Sequence, residues 1–231
     1  QDSGYSLAAM EAFAASHPDL NTVVTIVPNA VTVHADKLPE NAPARNQEKD
    51  LEYLQEKLTG ATFVDVTRTL KRHNSNYLYY KTDHHWTPRA ACYTLNDILE
   101  TMGIDPKPYD SYSFQIHTDF YGSAASNNPA FRSAHKPDTL EVMVPITPVK
   151  GYRVYWDGRE EEAPLINNGF SNYMIFLGGT LGPWRRFETG LDSGRRCLVI
   201  GDSFSNCFVP FLTTYYEVIH VTDIRPDYYD R

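Results

Sequence analysis

The chain is poor in the features that mark several large protein classes. It has only three cysteines, Cys92, Cys197 and Cys207, in 231 residues. An odd count leaves at least one thiol unpaired, the spacings match no zinc module, and buried free thiols are the simplest reading. No apolar run approaches the ~18 residues needed to span a bilayer. Lys and Arg never exceed two adjacent positions, and the net charge is −8. That balance argues against nucleic acid and against an anionic membrane surface as partners. The acidic run Arg159-Glu160-Glu161-Glu162 reads as a solvated loop. There is no internal repeat and no linker-like shift in composition. The chain also does not begin with Met, so the expectation is that an upstream segment was removed.

What is present suits a globular protein. Hydrophobic residues make up 42% and aromatics 13%, with 16 Tyr, enough for a substantial core without staples. Tyrosine-rich surfaces suit sugars, although half-buried strand tyrosines explain most individual cases. Periodicity predicts helices over Gly4–His17, Arg45–Leu58, Thr67–Arg72 and Pro88–Met102. In the last of these, Thr87 reads as the N-cap and Pro88 as the first helical residue. Strands are predicted at Asn21–Val27, Ala61–Val66, Thr139–Val144, Tyr152–Trp156, Tyr173–Leu177, Leu198–Ile200 and Val218–Val221, with a helix from Phe204 to Thr213. Residues 106–128 read as irregular. Alternating strands and helices predict one α/β domain over 1–231. The expected form is a three-layer, flavodoxin-like, mostly parallel sheet, with a small antiparallel insertion within about 106–170.

Two segments carry chemistry. Gly201-Asp202-Ser203-Phe204 follows the apolar run Cys197–Ile200, which sets Ser203 beyond the carboxyl end of a strand, at a helix N-terminus rich in free N–H groups. From this block alone a plain N-cap is the better reading. Asp83-His84-His85-Trp86 adds a carboxylate and two imidazoles. A serine hydroxyl needs a base, and the base needs a carboxylate to fix its tautomer. His85 is the better base, because a gap of one residue lets a tight loop bring Asp83 to its ring. The alternatives are a polar helix N-terminus and a metal site on Asp83 and His84/His85 with His73 or His117, although no HxxxH-type spacing is present.

Thr82-Asp83-His84-His85-Trp86-Thr87 and the late Gly201-Asp202-Ser203-Phe204 resemble the DHHW family of bacterial proteins. That family is similar to the SGNH-hydrolase-like proteins that O-acetylate alginate, in which Asp-x-His-Trp also precedes the serine block. Ordinary SGNH hydrolases have the reverse order. The resemblance runs from about Val23 to Tyr229. It implies Ser203 as nucleophile, His85 as base and Asp83 as its orienting partner. Gly122 and Gly179 stand as counterparts of the oxyanion glycine. Thr180 occupies the position where Asn is expected, and Asn206, Arg225 and Trp86 are further candidates near the site. The implied function is a serine-dependent O-acetyltransferase or acetylesterase on an envelope or extracellular polysaccharide. It would have no cofactor and no metal, and a membrane-bound acyl-donor protein as a partner. Export is implied too, either secreted or anchored through a segment missing from this chain. The alternative is a carbohydrate-binding or scaffold protein of the same fold.

Overall fold

A computed structural model describes residues 3–45, 47–179 and 184–224. The chain divides into two compact units, one of residues 1–76 and 93–106, the other of residues 77–92 and 107–231.

In the first unit, helices Ser3–Ser16 and Gln47–Lys57 accompany two short strands, β1 (Val23–Val24) and β2 (Thr62–Phe63), paired in parallel. The predicted strand Asn21–Val27 is thus ordered as strand over only two residues. Leu51, Leu54 and Leu58 are all buried, as their common helix face requires. Helix Pro88–Thr101, whose later turns belong to this unit, buries Leu95 and Leu99. It ends at Gly103, where φ is +70° and the Ile104 N–H returns to the Leu99 carbonyl at 2.8 Å. Thr87 does not cap this helix with its side chain, because its hydroxyl donates to the Tyr77 carbonyl at 2.6 Å.

The second unit holds the longer strands. β3 (Ser113–Phe120) and β4 (Asp138–Val144) form an antiparallel pair. β5 (Lys150–Val154), β6 (Glu160–Glu162), β7 (Trp184–Glu188), β8 (Arg196–Ile200) and β9 (Val218–Thr222) form a sheet in the order β6-β5-β7-β9-β8. Gly158, at φ +82°, turns the β5–β6 hairpin.

The sheet is mixed: only β8–β9 is parallel, while β5–β6, β5–β7 and β7–β9 are antiparallel. This corrects the expectation of a mostly parallel three-layer sheet, and the α/β character holds. Connection length accounts for the two pairs joined directly in sequence, β5–β6 and β8–β9. Parallel neighbours need a crossover of about a dozen residues or more, usually with a helix. The link from β8 to β9 has that length and carries helix Val209–Leu212. The β5–β6 connection is only a tight turn.

Further local expectations also change: the acidic run read as a loop forms β6 (Glu160–Glu162), and the predicted helix Phe204–Thr213 is a 3-10 turn, Ser203–Cys207, followed by helix Val209–Leu212. β3 lies within the stretch read as irregular, and β7 was not expected at all. The apolar run Tyr173–Leu177 is a 3-10 turn (Tyr173–Ile175) followed by a single bridge from Phe176 to Ile166, not a strand. Trp86, Phe120, Phe176, Phe187 and Phe211 are almost wholly buried in this unit, each contributing about 1.5–3 kcal/mol of burial.

Candidate active site

The loop carrying Asp83 and His85 is closed at its base and pinned from the side. Tyr79 and Trp86 form an isolated antiparallel bridge, and the Thr87 N–H donates to the Leu78 carbonyl at 2.8 Å. Asp138, on β4 and 3% exposed, takes the Thr82 N–H at 2.7 Å, the Thr82 hydroxyl at 2.5 Å and the Lys81 N–H at 3.0 Å. The Tyr77 hydroxyl donates to the same carboxylate. A buried charge is tolerable only when hydrogen-bonded in this way. Asp138 therefore fixes the backbone just ahead of Asp83.

Asp83 then spends both oxygens. Oδ1 accepts the His85 N–H at 3.0 Å and lies 2.5 Å from His85 Nδ1, while Oδ2 accepts the Ser123 N–H at 2.8 Å. Burial pushes its carboxyl up, but the hydrogen bonds from the His85 ring, Ser123 and the His85 backbone outweigh it. They hold Asp83 well below the usual carboxylate range. An ionised Asp83 takes the proton-bearing Nδ1, which leaves the Nε2 lone pair of His85 facing outward. Ser203 Oγ lies 2.9 Å from that nitrogen.

Ser203 reaches this position from the other end of the chain. β8 ends at Ile200, and Asp202 caps a 3-10 helix, Ser203–Cys207, by accepting the Phe204 N–H at 2.9 Å. Capping thus falls to Asp202, which leaves the Ser203 hydroxyl to His85. The Trp86 Nε1–H donates to the Phe204 carbonyl at 2.8 Å and ties the two segments together. Ser203, His85 and Asp83 lie in one line, so hydroxyl, imidazole and carboxylate are arranged as proton donor, relay and orienting anion.

His84 turns away from Ser203. Its Nδ1 meets Ser123 Oγ at 2.7 Å, and burial, followed by coulombic repulsion with the neighbouring His85 whenever both rings are protonated, lowers its pKa. Asp83, His84 and His85 each offer a ligand atom within 4.8 Å of one another, the one such trio among the described residues.

The other sequence candidates fare differently. The Gly122 N–H donates to Thr82 Oγ1 at 3.1 Å and the Gly179 N–H to the Phe176 carbonyl at 3.0 Å, so neither amide is presented to an oxyanion. Gly122 serves instead to let the backbone pass Asp83: a Cβ there would collide with Asp83 Cβ, Cα and Oδ2. Gly179 and the buried Asn206 line a small open cleft with Leu177, Arg185, Gly201 and Ser205, beside the serine segment. Leu177, Gly178 and Gly179 take successive φ values of +58°, +65° and +79° at its rim. Trp86, 1% exposed, is packed under the loop and is not a wall of this cleft. Thr180 and Arg225 lie outside the described residues.

Sequence reasoning missed Asp138, Tyr173 and Arg185. Burial, and after it the charge of Arg153 opposite on β5, lowers the Arg185 pKa to about 10.

Comparison with solved structures sets this arrangement in a fold already seen. PatB1 of Bacillus cereus, at 17% identity, matches with a TM-score of 0.76 over 96% of this chain and 78% of its own, in a structure carrying a sulfonyl adduct. The O-acetyltransferase domain of Pseudomonas putida AlgJ matches at 14% identity and TM-score 0.52, over 94% of this chain and 67% of that one. A DHHW family protein from Eubacterium siraeum, 25% identical, matches at TM-score 0.79 over 93% of this chain and 76% of its own. No curated protein matches the sequence. The family model described as DHHW protein matches residues 7–222, and the chain belongs to that family.

Proposed function

We propose that this protein is a serine-dependent acyl-transfer enzyme, an O-acetyltransferase or acetylesterase acting on a cell-envelope or extracellular polysaccharide. The observation that carries the reading is the line from Ser203 Oγ to His85 Nε2 and from His85 Nδ1 to Asp83. In the first step Oγ attacks an acyl carbonyl while its proton passes to Nε2. The tetrahedral oxyanion collapses, His85 returns the proton to the leaving oxygen, and the acyl group stays on Ser203. In the second step His85 takes a proton from water or a sugar hydroxyl, whose oxygen attacks the acyl-enzyme and frees Ser203. The Ser203 N–H, first in its 3-10 turn and without an intrahelical acceptor, is the natural oxyanion donor. Triad geometry serves hydrolysis and transfer equally; water exclusion and acceptor binding decide between them.

Likeness to the O-acetyltransferase domain of AlgJ supports the acyl-transfer part of the proposal; the polysaccharide, a membrane-bound acyl-donor partner and an extracytoplasmic location are further parts of the proposal. Among the described residues no helix is long and apolar enough to cross a membrane. The engaged amides of Gly122 and Gly179 favour a second reading, a glycan-binding protein of this fold without useful catalysis, because they leave the oxyanion poorly served. Wild-type protein and Ser203→Ala are to be compared on an activated acetyl ester, with the intact mass followed for an acetyl adduct. Turnover and adduct lost only in the variant support the enzyme. Equal turnover in both, or glycan binding with no adduct, removes it.

A further inference from the structure

We propose that Tyr173 is a positioning residue that holds His85 and Ser203 in register for proton transfer; the inference rests on the acyl-transfer reading above. Two hydrogen bonds grip the His85 ring, one at Nδ1 and one at Nε2. Both act within the ring plane. They define an axis through the two nitrogens and leave tilting about that axis almost unopposed. Tyr173 supplies the missing restraint. Its ring lies face to face with the imidazole, centroids 3.8 Å apart and planes 7° from parallel. His84 covers the opposite face at 3.9 Å, tilted by 37°. The base is held as the middle layer of three rings.

The same side chain also grips the nucleophile. The Tyr173 hydroxyl donates to the Ser203 carbonyl at 3.1 Å. One rigid aromatic ring thus spans from the plane of the base to the backbone of the serine. Tyr173 is itself firmly seated. Asn172 caps the turn that presents it, accepting the Met174 N–H at 3.0 Å, and Phe176 packs edge-on at 5.2 Å. Burial raises the phenol pKa far above its usual value, so the hydroxyl remains a donor throughout the working range.

The test is Ser203 sulfonylation by phenylmethanesulfonyl fluoride, in which Oγ bonds to sulfur, fluoride leaves and the proton goes to His85. Its rate is followed by intact mass against pH in wild type, Tyr173→Phe and Tyr173→Leu. Turnover of an activated acetyl ester is measured beside it, with thermal unfolding as the control for folding. Tyr173→Leu is expected to label about tenfold more slowly or worse, with a shifted pH midpoint, and to lose ester turnover through kcat with KM little changed, while unfolding stays cooperative. Tyr173→Phe, which keeps the stack, is expected to lose less and to keep the wild-type midpoint. A folded Tyr173→Leu that labels at the wild-type rate with the wild-type profile overturns the proposal. So does a loss that merely tracks the unfolded fraction. Failure to label wild type strikes instead at Ser203 as nucleophile, and the positioning role falls with it.

Discussion

The indole of Trp86 donates to the carbonyl of Phe204 at 2.8 Å, joining the loop that carries the base to the turn that carries the serine. Trp86 is 1% exposed, so no water replaces that donor if it is removed. Trp86→Phe is expected to cost about 1–3 kcal/mol for the stranded carbonyl. Urea unfolding monitored by far-UV circular dichroism measures the loss. Sulfonylation of Ser203 is expected to slow in the same variant, because the two segments lose their direct tie.

Asp138 makes no contact with the proposed reacting groups, yet substituting it is expected to disable the site. Asp138→Ala leaves the two buried donors of Thr82 and the part-buried Lys81 N–H unmatched. A loss on the order of 3 kcal/mol is expected from denaturant unfolding. Asp138→Asn, which keeps one acceptor oxygen, is expected to lie between it and wild type. Asp138→Asn no more stable than Asp138→Ala would show that these acceptor bonds are not what holds the loop.

Asp83 links acidity to stability. Its carboxyl is held below the ordinary value of about 3.9. A depressed folded-state pKa contributes stability that is complete above the unfolded value and is lost as pH falls through the folded value. The stability gap between wild type and Asp83→Asn is therefore expected to be widest near neutrality and to shrink below about pH 4. Chemical unfolding at a series of pH values reads this directly. At neutral pH the same variant is expected to lose about 10²–10⁴-fold in ester turnover, because Nδ1 loses its charged orienting partner.

Gly122 is constrained by space rather than by backbone angle, since its φ is −86°. Gly122→Ala is expected to push Asp83 away from His85 and to lower turnover far more than it lowers the unfolding midpoint. Full activity in this variant would mean that the loop yields without cost.

Chelation addresses the trio Asp83, His84 and His85. Both oxygens of Asp83 already hold N–H groups, and the Nδ1 atoms of the two histidines face Asp83 and Ser123. Sulfonylation after dialysis against EDTA is expected to run at the untreated rate. A loss that zinc restores would reassign the trio to metal binding.

The legible parts of the site were those whose logic is local. Asp83 and His85 sit two positions apart on one loop, and a strand-turn-helix pattern around Ser203 announces an exposed hydroxyl; both can be read from neighbours. Asp138 and Tyr173 act on partners 56 and 30 residues away, and nothing adjacent in the chain signals them. The fold divides the same way. Helix Gln47–Lys57 declared itself by its leucine spacing. β3 (Ser-Phe-Gln-Ile-His-Thr-Asp-Phe) and β7 (Trp-Arg-Arg-Phe-Glu) are diluted with polar residues, and their strand character comes from the neighbours they pair with. The apolar run at Tyr173 misled for the opposite reason: Asn172 capping and the left-handed Leu177–Gly179 bend it, whatever its composition prefers.

The tight turn at Gly158 falls between the stretch that bears acid and base and the stretch that bears the serine. Its exposed position invites a single cut there. The two fragments would each carry half of the chemistry and half of a hydrogen-bonded seam, since β5 and β7 lie on opposite sides of the break and pair directly. Mixing them would report reassembly through the return of the proposed ester turnover, turning a structural hairpin into a complementation assay.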